Sequence, residues 1–184
     1  NTDKVVTLIE EIRTMKLRLD APDVNTSEFK FTVNDEGRII YGLGAIKGVG
    51  EGPVEAITEA RRNGPFKDLF DFCARVDLKR INKRTLDGLI RSGALDRLGP
   101  CFHDEPKAYQ ASIDQNRAIL LTAMEGAIKA AEQTARTHDS GHADLFGGLF
   151  VEADADVYAN HRKAKELTLK ERLKGEKDTL GLYL

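Results

Sequence analysis

The sequence predicts a mainly α-helical protein with a small α/β unit at its N-terminal end. Apolar residues recur at helical spacing through most of the 184 residues, which is typical of amphipathic helices. Alternation of apolar and polar residues is confined to one short stretch, residues 29–33. Between residues 42 and 98, helices are predicted in two successive pairs, each joined by a short turn. We therefore expect a helical bundle followed by a long helix, with strands only near the N-terminal end.

The composition excludes several classes of protein. Hydrophobic residues make up 41% of the chain, and no apolar run reaches about 18 residues, so we expect no membrane-spanning segment. Residues 1–20 are charged and amphipathic, unlike a signal peptide. Cys73 and Cys101 have no C-x-x-C partner and the four histidines have no ligand spacing. We therefore expect no metal site, and a reducing compartment.

The net charge of −2 conceals alternating blocks of charge. Residues 42–98 contain 11 Lys or Arg against 8 Asp or Glu. Residues 139–160 contain five acids and no Lys or Arg, whereas residues 161–184 carry a net charge of +3. This pattern suggests a basic surface for nucleic acid, with an acidic segment kept apart from it. Ordinary solvated surface remains the alternative.

The first 41 residues are predicted to form the α/β unit. A helix is expected over residues 2–15, because apolar residues share one face. Residues 20–25 are expected to form a loop. Residues 29–33 and 38–41 are expected to pair as a β-hairpin around a turn at 34–37 that ends in glycine.

Residues 43–57 carry the most informative pattern. A short apolar helix precedes Gly48-Val49-Gly50, and a second amphipathic helix follows with Val54 and Ile57 on its apolar face. We predict that Gly52 caps this second helix and that Pro53 lies in its first turn. Glycine permits a positive φ and lets a phosphate approach closely, and the free N–H groups at a helix start favour an anion.

This pattern predicts a helix-hairpin-helix, a module that holds the phosphate backbone of DNA. An ordinary helix–turn–helix corner is the alternative, since a Gly-x-Gly turn alone is a weak signal. The predicted DNA-binding residues of the first hairpin are Lys47, Gly48, Val49, Gly50 and Gly52.

A second, degenerate unit is predicted to follow. A short helix over residues 66–74 leads into the basic connector 78–81, and Asn82 is expected to cap the next helix, which ends near Gly93. The unit lacks Gly-x-Gly, and charge is expected to replace amide contacts with phosphate. The predicted DNA-binding residues here are Lys79, Arg80, Lys83 and Arg84. A solvated helix start is the alternative, although positive charge there opposes the helix dipole.

The remaining chain is predicted to be helical around a loop. A long helix over residues 105–138 buries an apolar stripe that includes Ile119, Leu120 and Met124. Leu145 and Phe146 lie in a polar, glycine-flanked loop, so we expect them to need a partner. Residues 164–173 are predicted to form a last short helix, and residues 179–184 form an apolar ending that resembles a truncation.

Over essentially its whole length the chain resembles the alpha subunits of bacterial DNA polymerase III, the replicative C-family polymerases. The strongest stretches are residues 33–37, 40–52, 89–96 and 179–184. The resemblance implies a fragment made of the end of the fingers (1–41), a tandem helix-hairpin-helix domain (42–98), a helical extension (99–139), a clamp-binding loop (140–150), and a linker with a short helix (151–184) that leads to an OB-fold domain.

The resemblance also implies partners and an activity. His142, Ala143, Asp144, Leu145 and Phe146 correspond to the family's internal motif for binding the sliding clamp, with His142 in place of the usual Gln. The full-length protein would be a cytoplasmic DNA-directed DNA polymerase, a nucleotidyltransferase with Mg²⁺ on palm carboxylates, bound to double-stranded DNA and to other holoenzyme subunits. This fragment lacks the palm carboxylates, so we expect no catalytic residue, cofactor, metal or membrane contact in it.

Other functions fit the same hairpins. A stand-alone helix-hairpin-helix protein could bind DNA or repair it, for example as a glycosylase, but such an enzyme needs a catalytic Asp or Lys and a base pocket. A protein-interaction scaffold would use the hairpins only for packing and would show no salt-dependent affinity for DNA.

Overall fold

A computed structural model describes residues 2–139 and 155–184 of the chain, and in these ranges the fold is mainly helical. The helices and strands are α1 (Thr2–Thr14), β1 (Leu19–Asp20), β2 (Thr32–Val33), β3 (Ile39–Ile40), α2 (Glu51–Arg61), α3 (Leu69–Arg75), α4 (Lys83–Arg91), α5 (Pro106–Asp139) and α6 (Leu169–Leu180). The predicted fold class, mainly α with a small N-terminal α/β unit, is confirmed.

The α/β unit contains a small sheet with the strand order β1-β3-β2. Strands β2 and β3 pair antiparallel, with Thr32 opposite Ile40, which confirms the predicted hairpin. Its turn is held by the Asn34 carboxamide oxygen, which accepts hydrogen bonds from the N–H groups of Glu36 and Arg38. Strand β1 pairs parallel to β3 and extends into the residues predicted as a loop. Two residues are too few for an alternation pattern, so only the tertiary pairing defines this strand.

The core lies between the hairpin helices and the middle of α5. Helix α5 packs along α3 and α4. Ile119, Leu120 and Met124 are buried, as the predicted stripe requires, while Ile128 and Ala131 are only partly covered. Phe66 and Phe72 meet edge to face at 4.8 Å between ring centroids. The two hairpin units and the long helix therefore share one hydrophobic core.

The C-terminal helix differs from its prediction. It spans Leu169–Leu180 rather than residues 164–173, so the predicted bounds were wrong. Thr168 caps it in a capping box with Glu171, a local Thr-x-x-Glu signal that marks the true start. Gly181, with φ of 79°, ends the helix in the left-handed conformation. The apolar residues of this segment are sparse, because two of its buried positions, Arg172 and Glu176, are charged.

Those charged positions form a buried ion-pair network between α5, α6 and the turn after α4. The Arg117 guanidinium donates to Asp96 and to Glu176, each at 2.9 Å. Arg172 donates to Asp114 at 2.7 Å. Removing one partner of such a buried pair typically costs about 3–5 kcal/mol, because the other charge loses its compensation. This network holds α6 in the same core as the hairpins.

Two further findings concern the cysteines and the apolar length of the helices. Cys73 is buried, as expected, and Cys101 is half-buried; both are free thiols. Burial raises the pKa of the Cys73 thiol to about 12. Within residues 2–139 and 155–184, no helix is long and apolar enough to cross a bilayer.

Candidate nucleic-acid interface

The first hairpin, residues 46–50, links a single 3₁₀ turn at Leu43–Ala45 to helix α2. Its turn is closed by a hydrogen bond of 3.0 Å from the Val49 N–H to the Ile46 carbonyl oxygen. Ile46 and Val49 are buried and anchor the turn, whereas Lys47, Gly48 and Gly50 are exposed. Gly48 has a φ of 84°, a conformation that glycine adopts without strain. The predicted short apolar helix is therefore one 3₁₀ turn.

The cap of α2 corrects one prediction. Gly50, not Gly52, is the N-cap residue, and no side chain caps the helix. Gly52 is the second helical residue, and Pro53 lies in the first turn as predicted. The helix begins earlier because the extended backbone of Gly50, with φ of −87° and ψ of −170°, already leads into α2.

This geometry leaves a cluster of backbone donors at the start of α2. Among the described residues, no hydrogen bond is made by the N–H groups of Gly48, Gly50, Glu51 or Gly52. Free N–H groups at a helix start, with the positive end of the helix dipole behind them, favour an anion. The Val49 N–H is excluded from this set because it closes the turn. Glu51, which is not among the residues predicted to bind DNA, contributes an amide instead.

The first hairpin is held in place by the C-terminal segment. The Lys47 N–H donates to the Thr179 carbonyl oxygen at 2.8 Å. The Tyr41 hydroxyl lies 3.0 Å from the Leu180 carbonyl oxygen and 3.3 Å from that of Ala45. Burial raises the pKa of Tyr41 to about 12, so its hydroxyl remains a donor at neutral pH. The turn is thus fixed from both sides before any ligand arrives.

The second hairpin, residues 77–82, uses its own side chains as acceptors. An Asp77 carboxylate oxygen accepts from the Lys79 N–H at 2.9 Å, and the Asp77 carbonyl accepts from the Arg80 N–H at 3.0 Å. Asn82 caps α4 by accepting from the Thr85 N–H at 2.9 Å, as predicted. The hydrogen bond from Lys79 and that from the Arg80 side chain hold the pKa of Asp77 below its usual value. This turn therefore differs from the first in its side-chain acceptors, although the N–H groups of Lys83 and Arg84 at the start of α4 also lack a partner among the described residues.

Two of the predicted cations, Arg80 and Lys83, are ion-paired. The Arg80 guanidinium is ion-paired with Glu59 at 2.8 Å, Asp77 at 3.3 Å and Glu55 at 3.6 Å. Lys83 is ion-paired with Glu125, and this hydrogen bond lowers the pKa of Glu125.

Three predicted cations make no ion pair within the part of the chain that the structure describes. They are Lys47, Lys79 and Arg84, and all three are exposed.

The two hairpins lie side by side. The Thr85 hydroxyl, in the first turn of α4, is 3.4 Å from the Gly48 carbonyl oxygen. Gly88, one turn further along α4, lies beneath the Lys47 carbonyl. The Arg80 side chain reaches across to Gly52 and to the acids of α2. The start of α4 therefore packs against the turn of the first hairpin, and the two predicted binding elements are direct neighbours.

The predicted clamp-binding residues His142, Ala143, Asp144, Leu145 and Phe146 lie outside the described residues. Their assignment stays a prediction. Within the described ranges, no group of three or more His, Cys, Asp or Glu side chains is placed to hold a metal ion.

Comparison with known proteins gives the chain its family. Residues 16–102 match the model of the helix-hairpin-helix motif. The whole chain is 92% identical to DNA polymerase III subunit alpha of Pseudomonas fluorescens and 80% identical to that of Pseudomonas aeruginosa, covering 16% of each relative. It is 46% identical to DNA polymerase III subunit alpha of Escherichia coli K12, covering 15% of it. The chain therefore spans about one sixth of these relatives' length, and it belongs to the family of bacterial DNA polymerase III alpha subunits.

Proposed function

We propose that this chain is the part of a replicative DNA-directed DNA polymerase that holds duplex DNA by its phosphates, without reading sequence, and tethers the polymerase to the sliding clamp. The observation that carries the DNA-binding proposal is the set of free N–H groups at Gly48, Gly50, Glu51 and Gly52. Backbone amides and a helix start recognise a phosphate but no base, so they supply affinity without sequence preference.

Exposed cations supply the rest of the binding. Lys47 flanks the amide cluster, Lys79 lies on the adjoining hairpin, and Arg84 lies in the first turn of α4. Each phosphate that such a cation neutralises releases counterions, so the logarithm of affinity falls with the logarithm of salt concentration by about 0.9 per contact. Binding by these groups is expected to be weak and steeply dependent on salt.

We assign the chemical step to the rest of the polymerase. On its resemblance to the family, the full-length protein would hold Mg²⁺ on palm carboxylates outside this chain, and those ions would supply two-metal catalysis of nucleotidyl transfer. This chain has no matching carboxylate set in its sequence. Its contribution is to position and retain the duplex in a cytoplasmic enzyme that also binds other holoenzyme subunits.

The clamp tether is proposed for residues 142–146, on the resemblance of this motif to the family's clamp-binding motif. Leu145 and Phe146 are the apolar anchors, and burying each in a pocket contributes about 1.5–3 kcal/mol before the cost of ordering the loop. Holding DNA and clamp in one chain raises the effective concentration of each for the other. That coupling would keep the polymerase on its template.

The DNA-binding proposal is tested by fluorescence anisotropy with labelled duplexes of unrelated sequence. We expect equal affinities for all duplexes and a linear loss of log affinity with log salt. A marked preference for one sequence, or an affinity that salt does not change, would contradict it. A duplex containing a damaged base should remain uncleaved, which separates this proposal from a repair enzyme.

The clamp proposal is tested by surface plasmon resonance with the bacterial sliding clamp. We expect the 184-residue chain to bind, and a Leu145→Ala/Phe146→Ala double variant to lose binding. A matched control is Leu169→Ala/Tyr183→Ala, which removes exposed apolar groups elsewhere and should bind normally. An equal loss of clamp binding in both double variants would contradict the proposal, because binding would then depend on exposed apolar side chains in general.

A further inference from the structure

A groove of about 650 Å³ opens beside the first hairpin. One wall runs from Gly44 in the 3₁₀ turn through the first hairpin to Gly50, and the other is the segment at residues 29–31 together with Val5 of α1. The groove therefore continues directly from the amide cluster. The phosphates of a duplex would reach those amides without the duplex entering the groove.

The most exposed apolar group of this groove is Phe29, with 41% of its surface accessible. The ring lies so close to Gly44 that an added Cβ would be 2.4 Å from its nearest carbon. The backbone fixes the same contact, because the Gly44 N–H donates to the Phe29 carbonyl oxygen at 2.9 Å. Gly44 thus leaves space for a ring that is held on one side and accessible to solvent on the other.

The charge around the groove suits a nucleic-acid strand. Lys30 and Lys47 line it, and both side chains are exposed without an ion pair in the described part of the chain. Gly48 and Gly50 bring their free amides to its edge. Aromatic rings with cations beside them are the usual platform for single-stranded nucleic acid, because every base has a face that can stack.

We propose that Phe29 is a stacking platform for a base of unpaired DNA whose phosphate lies on the first hairpin, with Lys30 and Lys47 neutralising the neighbouring phosphates. The occupant is a single strand, because a base inside a duplex is stacked on both of its faces and offers neither to the ring. This inference deepens the proposed function and rests on the hairpin as a phosphate site. The site would then bind DNA in a second way, in which a strand that has separated from the duplex enters the groove.

The chain contains no tryptophan, so a Phe29→Trp variant carries a single fluorescent reporter in the groove. The probes are a 12-nucleotide oligothymidylate and a blunt duplex of the same length. We expect the oligothymidylate to quench the tryptophan emission by about half or more through stacking, and the duplex to leave it nearly unchanged. The matched control is Leu169→Trp, at an exposed apolar position on α6, which neither probe should quench.

Affinity gives an independent readout. Phe29→Leu, which keeps an apolar group over Gly44, should weaken binding of the oligothymidylate about fivefold to tenfold and leave duplex affinity within about twofold. Lys30→Ala should weaken the single strand about threefold, whereas Lys67→Ala, another exposed lysine, should not. Phe29→Tyr should bind as the native chain does, which shows that the ring and not merely the fold is required.

Each outcome separates the two proposals. Equal quenching by the two probes, or bound oligothymidylate without quenching, would overturn the single-strand platform while leaving the duplex proposal intact. Binding of oligothymidylate without binding of duplex would overturn the proposed function and keep the groove. If neither probe binds, both proposals are wrong.

Discussion

The two hairpins differ in how the helix that follows each of them is capped. In the first, α2 starts at a glycine that offers no side-chain acceptor, so the amides around it stay free. In the second, Asp77 and Asn82 accept from the turn and from the start of α4. Both helix starts leave two N–H groups without a partner among the described residues, those of Glu51 and Gly52 in α2 and those of Lys83 and Arg84 in α4. A side-chain cap satisfies one amide and puts an acceptor where an anion would lie, whereas an uncapped start stays open to the anion. The difference favours amide recognition of phosphate at the first hairpin.

The charges of the second hairpin are divided in the same way. Arg80 is engaged by three acids, and it ties the second turn to helix α2 of the first unit. Arg84 is exposed and makes no ion pair within the described ranges. We therefore expect Arg80 to join the two hairpin units and Arg84 to contact phosphate.

The largest expected effect comes from making the first hairpin resemble the second. Gly50→Asp places a carboxylate where the phosphate would lie and gives α2 a side-chain cap. Affinity for duplex DNA should fall by about tenfold or more through like-charge repulsion, while the free energy of unfolding rises by about 0.3 kcal/mol from the better cap. Anisotropy and chemical denaturation measure the two changes.

The control for this change is Asn82→Asp, which adds the same charge to a helix start that already has a side-chain cap. It should reduce affinity much less, because the Asn82 side chain already occupies the start of α4 as an acceptor and we assign the phosphate to the first hairpin. Equal losses in Gly50→Asp and Asn82→Asp would show that the two hairpins contribute alike, and the comparison would fail.

The next effect separates the free cations from the paired one. Lys79→Ala and Arg84→Ala should each weaken DNA binding and make the salt dependence shallower by about 0.9 per lost contact. Arg80→Ala should instead lower the thermal midpoint, since Glu55, Glu59 and Asp77 lose their shared partner. A salt dependence that Arg80→Ala alone reduces would mean that this arginine leaves its acids to bind phosphate.

A smaller effect tests whether the ion pair with Glu125 restrains Lys83. Glu125→Gln keeps the size of the side chain and removes its charge, so Lys83 becomes free and one repulsive charge is lost. Duplex affinity should rise about twofold to threefold, as expected for one exposed charge at moderate salt. The double variant Lys83→Ala/Glu125→Gln should lose that gain, and retention of the gain would attribute it to net charge alone.

The smallest effect is a pH dependence of stability from the second turn. The pKa of Asp77 is lowered in the folded state by the Lys79 N–H and by Arg80, so its carboxylate stabilises the fold above the unfolded value of about 3.8. That contribution is lost as the pH falls through the lower folded pKa. Thermal midpoints of the native chain and of Asp77→Asn should therefore differ at about pH 6 and converge towards about pH 2. A constant difference across this range would contradict the assignment.

Prediction from sequence succeeded where the signal was local. The first helix, the turn at residues 34–37 and the cap at Asn82 are specified by neighbours within a few residues, and the structure confirms them. The start of α6 is also marked locally, by Thr168 and Glu171, whereas the apolar pattern predicts a start at residue 164. The cap of α2 was placed two residues late because each of two glycines could begin that helix.

The sequence by itself determined the helical fold class, the two hairpins and the chain's likeness to its family, because periodicity, glycine positions and caps act over short distances. Only the tertiary structure decided which groups are available. It placed Arg80 against Glu59, joined Lys47 to Thr179 and set Phe29 on Gly44, and each of these contacts links residues far apart in the chain. Ion pairing and close approach depend on distances in space, which no local pattern encodes.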